Sequence, residues 1–278
     1  MKVLITSGGT REHIDAARVV ANTSTGRTGR VLAELLAART CSVLCLRSAA
    51  AERPSGRGIR VRNYESFSDL DAALRTALKA ERFDAVIHLA AVSDYSPVLI
   101  EAGARKYRPG RSAKISSAAG ELRVILRRNF KILDRIKSYA AAGSHPAPLL
   151  IAFKLTAGAG KAQALRKVRA LASADLVVHN DTREMKKTHP FHIYRSGRRI
   201  FDCEGPEELA EKLFDLIPEF IGTLDVAARG QERKTVVEPA ACLARRANFE
   251  RGHGAAERVL KARSCGGAGT GSREAICC

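Results

Sequence analysis

Short apolar runs alternate with stretches of helical periodicity along most of the chain. The runs Val3–Thr6, Ser42–Leu46, Ile59–Val61, Ala85–Leu89, Leu149–Lys154 and Asp175–Val178 have strand length and continuous apolarity, which predicts strands buried on both faces. Between them, apolar positions three and four apart predict helices at Thr28–Ala38, Ser66–Ala80, Phe130–Ala141 and Ala162–Ala172. Ser66 or Ser68 ahead of Asp69-Leu70-Asp71 marks a helix start with acids in the first turn. This alternation predicts an α/β fold built on a doubly wound, mostly parallel sheet. After Asn180 the pattern changes: Phe191–Tyr194 and Arg199–Phe201 flank Arg195-Ser196-Gly197-Arg198, which predicts a hairpin extending the sheet. An amphipathic helix over Pro206–Ile217 then closes the domain.

Two segments break the alternation. Val98–Ser117 has little apolar period and carries Arg105, Lys106, Arg108, Arg111 and Lys114 against the single acid Glu101. It follows a central strand, so it is expected to act as a basic flap over a ligand site, with a solvated surface loop as the plain alternative. From Val226 onward there are ten Lys/Arg against five Asp/Glu and several glycine-rich stretches. These residues lack material for a core. A ligand-binding domain over residues 1–225 and a basic, disordered tail over 226–278 are therefore expected, with a short helix near Ala256–Ala262 at most.

Bulk properties add limits. A chain of 278 residues with 45% hydrophobic residues can bury a full core. No apolar run reaches membrane-spanning length, and no signal-peptide pattern opens the chain. The seven cysteines are scattered and odd in number. They suggest neither a disulfide framework nor a spaced zinc site, with Cys242, Cys265, Cys277 and Cys278 as the minor alternative for a metal. A reducing, cytoplasmic setting is expected. The net charge of +18 fits a nucleic-acid surface, a site for acidic small molecules, or an arginine-rich proteome without functional meaning. With 5% aromatics and no recognisable nucleic-acid motif, nucleic acid is not the expected partner.

Candidate chemistry gathers at strand ends. The first strand stops at Ser7-Gly8-Gly9-Thr10, and Asn22-Thr23-Ser24-Thr25-Gly26-Arg27-Thr28-Gly29 leads into the first helix. Glycine turns and free N–H groups at a helix start suit phosphates. The spacing is not the dinucleotide fingerprint, and the second strand ends in Leu46-Arg47 without an acid for an NAD ribose. Arg47 would suit the extra phosphate of NADP, which keeps an NADP-dependent reductase as a rival. In His88-Leu89-Ala90-Ala91-Val92-Ser93-Asp94-Tyr95, small residues and then a carboxylate end a buried strand. Asp94 could accept hydrogen bonds from ribose hydroxyls, or be an ordinary loop acid. Lys114, in Ala113-Lys114-Ile115-Ser116-Ser117, could neutralise a leaving pyrophosphate or simply be solvated.

Ser7-Gly8-Gly9-Thr10, Asn22-x-Ser24-Thr25-Gly26-x-x-Gly29, Ala91-Val92-Ser93-Asp94-Tyr95, Ala113-Lys114-Ile115-Ser116-Ser117, Phe153-Lys154-Leu155 and Asn180-Asp181 occur in that order. Together, over about residues 1–222, they resemble phosphopantothenate–cysteine ligase, in the form of its stand-alone bacterial type. The resemblance implies a Rossmann-like fold and a two-step reaction through an acyl-nucleotide, with CTP favoured over ATP and Mg²⁺ required. It implies 4′-phosphopantothenate and L-cysteine as the other substrates, and a homodimer. It places Asn22 on the pantothenate and the acyl intermediate, with Arg18 nearby. Gly8, Gly9, Thr10, Ser24, Thr25 and Gly26 would cradle phosphates, and Lys114 would hold the triphosphate. Ala91 and Asp94 would meet the ribose, and Phe153, Lys154, Asn180 and Asp181 would line the nucleotide side. No protein metal ligand is implied. The chain departs from the family pattern at Phe130, at His179 and at Thr156-Ala157-Gly158. A non-catalytic nucleotide-binding or nucleic-acid-binding relative is the remaining alternative.

Overall fold

The computed structural model describes residues 1–186 and 189–235. Residues Met1–Gly230 form one compact unit. Within the described residues the elements run β1 (Lys2–Ser7), β2 (Arg11–His13), β3 (Val19–Ala21), α1 (Arg27–Ala38), β4 (Ser42–Ser48), β5 (Ile59–Tyr64), α2 (Phe67–Ala80) and β6 (Ala85–His88). They continue with β7 (Tyr95–Ala102), β8 (Arg105–Tyr107), β9 (Leu122–Arg128), α3 (Ile136–Ala141), β10 (Leu149–Thr156), α4 (Lys161–Arg169), β11 (Leu176–Asp181), β12 (Phe191–Arg195), β13 (Arg198–Cys203) and α5 (Pro206–Thr235).

The main sheet has the order β13-β12-β11-β10-β6-β1-β4-β5. Its strands from β5 to β11 are parallel, and the β12–β13 hairpin extends it antiparallel. Strand order reverses at β1, so the carboxyl ends of β1 and β6 flank the crevice where ligands bind in open α/β sheets. Side-chain alternation splits the core. Val3 and Ile5 of β1 pack with Leu32 and Leu36 of α1 and Leu209 and Leu213 of α5. Leu4, on the opposite face, packs with Leu70, Leu74 and Leu78 of α2 and Ile136 and Tyr139 of α3. The capping box at Ser66 and Asp69 starts α2 as its sequence indicates.

Several expectations shift. Residues 95–128 build a separate antiparallel sheet, β8-β7-β9, so the basic loop is confined to the connection after Tyr107. Its inner face buries Ile100 and Ala102 with Ile115, backed by Ile14, Leu122 and Val124. The helix expected over Phe130–Ala141 divides into a 3₁₀ turn at Ile132–Arg135 and the short α3. Helix α5 continues through Pro218 to Thr235, past the expected end at Ile217 and past Val226. The expected short helix at Ala256–Ala262 and Cys242, Cys265, Cys277 and Cys278 lie outside the described residues.

Candidate active site

The glycine turn after β1 is tied to the loop after β6. Thr10 N–H donates to the Ala91 carbonyl (3.1 Å) and Ala91 N–H to the Gly8 carbonyl (2.9 Å). Thr10 Oγ1 accepts from Ser93 N–H (2.9 Å) and lies 3.0 Å from Ser93 Oγ. The Tyr64 hydroxyl sits 2.8 Å from the Ser7 carbonyl and 2.9 Å from that of Gly8, closing the turn from below. Gly9 needs its missing side chain: a Cβ there would fall on the Asn22 carbonyl oxygen. Gly26 holds φ 77° as the N-cap of α1 and offers no side-chain cap. Arg27 N–H turns back to Thr25 Oγ1 (3.3 Å), and the N–H groups that follow it in the first turn of α1 are left to face a ligand.

At the carboxyl ends of β6 and β10 lies a cavity of about 640 Å³. It is walled by residues 22–28 on one side and by the 88–94 loop beneath. Phe130–Leu133 and Phe153–Leu155 complete it, with Asn180, His189 and Phe191. Of the residues singled out in the sequence, Asn22, Ser24, Thr25, Gly26, Ala91, Asp94, Phe153, Lys154 and Asn180 all line it. Asp94 is exposed and supplies the one carboxylate among the lining residues, while Arg27, Lys131 and Lys154 supply cations. Phe191 stands edge-on to Phe153 (6.2 Å) and stacks with His189 (4.8 Å), giving the cavity an aromatic side. Phe130, a departure from the family pattern, meets Phe67 edge-on at 4.9 Å and lies under the Arg135 guanidinium.

The other expected residues sit elsewhere. Gly8 and Thr10 are buried beneath the cavity wall, and Gly9 borders a smaller cavity of about 470 Å³ across the 22–25 segment. Asp181 is buried with its carboxylate accepting N–H bonds from Gly158, Ala159 and Arg183 and the Thr156 hydroxyl. The Thr156 hydroxyl, then those N–H groups, hold its acid well below the usual carboxylate range. It shapes the 157–159 loop and does not line the cavity. Arg18 pairs with Asp15 (2.5 Å) and donates to the Ile115 carbonyl (2.7 Å). Lys114 is exposed on the flap loop, outside the cavity lining. Arg47 is buried, its guanidinium donating to the carbonyls of Ser48, Ala49 and Ala51. It is committed to its own loop, which removes the feature that kept an NADP site open.

Two residues carry more than their sequence suggests. Asp15, buried at 2%, accepts N–H bonds from Ala17, Arg18 and Ile115 besides the Arg18 guanidinium. Arg18 first, with the backbone donors reinforcing it, holds the Asp15 acid far below its ordinary value against the opposing effect of burial. With Ala16 N–H bonded to the Ala113 carbonyl (3.0 Å), both neighbours of Lys114 are anchored to the β2–β3 turn. His88 enters the cavity floor from β6. Asp15 lies in a turn without apolar period, so no pattern marked it. His88 stood at a strand end beside Ala90-Ala91, the signal that could have found it.

With this geometry fixed, comparison with known proteins is decisive. The family model for the DNA/pantothenate metabolism flavoprotein C-terminal domain matches residues 1–220. The chain belongs to that family. The coenzyme A biosynthesis bifunctional protein CoaBC of Thermococcus kodakarensis is 28% identical over 226 residues, covering 79% of this chain and 51% of that protein. The CoaBC of Mycobacterium tuberculosis is 29% identical over 235 residues, covering 79% and 52%. The chain therefore spans about half the length of the curated relatives it matches. The crystal structure of the DNA/pantothenate metabolism flavoprotein from Streptococcus pneumoniae superposes with a TM-score of 0.69 at 27% identity, covering 79% of this chain and 99% of that one. A Cab2 mutant in complex with phosphopantothenate-cysteine shares the fold at a TM-score of 0.60 and 19% identity.

Proposed function

We propose that the chain joins 4′-phosphopantothenate to L-cysteine through an acyl-nucleotide, within coenzyme A biosynthesis. One observation carries this reading: residues from four separate sequence motifs of a family tied to pantothenate metabolism meet around one cavity at the switch point of the sheet. The matched CoaBC proteins are named for coenzyme A biosynthesis, and a protein of the same fold is complexed with phosphopantothenate-cysteine.

In the first step a carboxylate oxygen of phosphopantothenate attacks the α-phosphorus of the nucleoside triphosphate and pyrophosphate departs with the bonding pair. In the second, the cysteine amine attacks the acyl carbon and the nucleoside monophosphate leaves. A carboxylate is already a competent nucleophile, so positioning and charge stabilisation suffice. The start of α1 with Ser24, Thr25, Arg27 and Lys154 suits the phosphates, and the exposed Asp94 carboxylate suits ribose hydroxyls. Asn22 is assigned to the pantothenate carboxyl, and Lys114 to the triphosphate once the flap loop comes over it. Mg²⁺ would travel on phosphate oxygens, the hard anionic ligands that suit it. CTP is the favoured nucleotide on the family resemblance.

A homodimer and a reducing cytoplasmic setting belong to the same proposal. Tyr95 and Val98 on β7 and Ile125 and Leu126 on β9 are exposed apolar residues that suit contact with a second copy. Cys41, Cys45 and Cys203 are buried free thiols. Pyrophosphate release with 4′-phosphopantothenate, Mg²⁺ and CTP or ATP, with and without cysteine, tests the chemistry. Release that depends on phosphopantothenate, and is abolished by Asn22→Asp or Lys114→Gln, is expected; silence from folded protein with both nucleotides overturns the ligase reading.

A further inference from the structure

His88 stands in the floor of the cavity, and the steps above give it no role. It pairs in register with Thr6 on β1 and Ala152 on β10, at the centre of the sheet. Thr6 Oγ1 accepts N–H bonds from Ala90 and from Leu89, both at 3.1 Å, the Leu89 N–H being shared with the Thr6 carbonyl (3.3 Å), and lies 3.0 Å from His88 Nδ1. A hydroxyl has one proton and two lone pairs. With both lone pairs taken by N–H donors, the Thr6 proton points to Nδ1. Nδ1 must then hold a lone pair and Nε2 the proton. Nε2–H has no hydrogen-bond partner among the described residues, and His88 is 8% exposed at the cavity. His179 offers a contrast: its Nε2 faces Thr156 Oγ1 at 2.9 Å and its Nδ1 is sealed from solvent, so it offers a ligand nothing. Burial pushes the His88 pKa down to about 4, which keeps the ring neutral near neutral pH.

We propose that Nε2–H of His88 is a fixed, neutral donor to the acyl carbonyl oxygen of the activated intermediate. Its task is to stabilise the oxyanion formed when the cysteine amine attacks. The inference rests on the ligase reading. Phosphate oxygens carry standing charge and are already offered Arg27, Lys131, Lys154 and the start of α1. A buried neutral donor held by the sheet suits an oxygen whose charge exists only in the transition state. As the amine lone pair forms the C–N bond, the carbonyl π pair moves onto that oxygen. It returns as the C–O bond to the nucleotide breaks, and the nucleoside monophosphate leaves with the bonding pair. The surplus ammonium proton passes to solvent, and His88 keeps its own.

The two amide isosteres separate the two ring nitrogens. His88→Asn places its amide near the Nδ1 position, keeping the Thr6 bond and losing the donor to the cavity; His88→Gln reaches the Nε2 position. For His88→Asn, the rate of amide formation should fall about a hundredfold. Its KM values should stay close to wild type, with cysteine-independent pyrophosphate release retained. His88→Gln should recover most of the rate. Equal rates in the two variants, a wild-type rate in His88→Asn, or an equal loss in the first step would each overturn the proposal while leaving the ligase reading intact. ¹⁵N–¹H spectra of the wild-type imidazole supply a readout that does not need turnover. An Nε2–H tautomer whose signal moves on adding 4′-phosphopantothenate with CTP is expected. An Nδ1–H tautomer, or an unmoved signal, overturns the proposal even where His88→Asn fails to fold. Wild-type protein that releases no pyrophosphate with either nucleotide overturns the parent reading and this role with it.

Discussion

The floor of the cavity and the flap loop beside it are held by opposite means. Thr6, Thr10, Tyr64, His88 and Ser93 make buried, uncharged hydrogen bonds on or just after parallel strands packed on both faces. The loop carrying Lys114 has one buried apolar anchor, Ile115, and is otherwise held by Asp15 and Arg18, by the Ala16 N–H on the Ala113 carbonyl, and by Arg111, which pairs with Glu65 and donates to His13. Neutral buried hydrogen bonds fix positions to a fraction of an ångström and are indifferent to salt. A small charged clamp orders a loop and can also release it. Ligand geometry belongs to the first region, and delivery of charge over the ligand to the second.

The strongest way to break the floor is Gly9→Ala. Its methyl would meet the backbone carbonyl of Asn22, which cannot swing aside as a side chain could. A loss of about 3 kcal/mol in urea unfolding is expected, with a severe loss of turnover because Asn22 itself is displaced. A stable, active variant would show that the turn has slack. Tyr64→Phe attacks the same floor more gently. It strips the donor shared by the Ser7 and Gly8 carbonyls, and should cost about 1–2 kcal/mol by the same measurement.

Asp15→Asn tests the flap. The amide loses the charge that Arg18 pairs with and can no longer accept on both oxygens. Limited proteolysis should cut faster within residues 108–121, and the KM for the nucleotide should rise, while global unfolding changes little. Collapse of the whole domain in this variant would show that the two regions are not separable.

The floor was far more legible than the flap. Continuous apolar strands such as Val3-Leu4-Ile5 and the glycine turn state their burial directly, and most residues marked from motifs did converge on the cavity. The β7–β9 sheet was missed because it is covered on one side only. Its inward residues Ile100, Ala102, Leu122 and Val124 are interleaved with outward Glu101 and Arg123 and interrupted by a bulge near Pro97. Their partners, Ile14 and Ile115, lie far away in the chain. The same distance hid Asp15, whose contact with Ile115 spans 100 residues. Arg47 misled for a related reason: a strand-end arginine reads as an anion ligand, and only the folded loop shows three carbonyls taking its protons.

Acid titration gives the smallest effect and the sharpest separation of the two regions. His88 has its folded pKa lowered to about 4 from an ordinary 6.5. Between those values the unfolded chain binds a proton that the folded chain refuses, so stability must fall as pH is lowered through that window. Going from pH 7 to 5.5, His88 alone should cost about 1 kcal/mol. His179 and His189, both lowered mainly by burial, add to the loss. Asp15 acts in the same sense but in a lower pH window. Its folded pKa lies below the ordinary carboxylate value, so its contribution is complete above that value and disappears only as pH falls toward the folded one. Over pH 7 to 5.5 the flap should therefore resist protease unchanged while the urea midpoint of the whole domain drifts down. His88→Gln should flatten part of that drift and leave the share of the other two histidines. A wild-type slope in His88→Gln, or flap cleavage that rises in step with the global loss, would mean that the floor is not the pH-sensitive region and that the comparison fails.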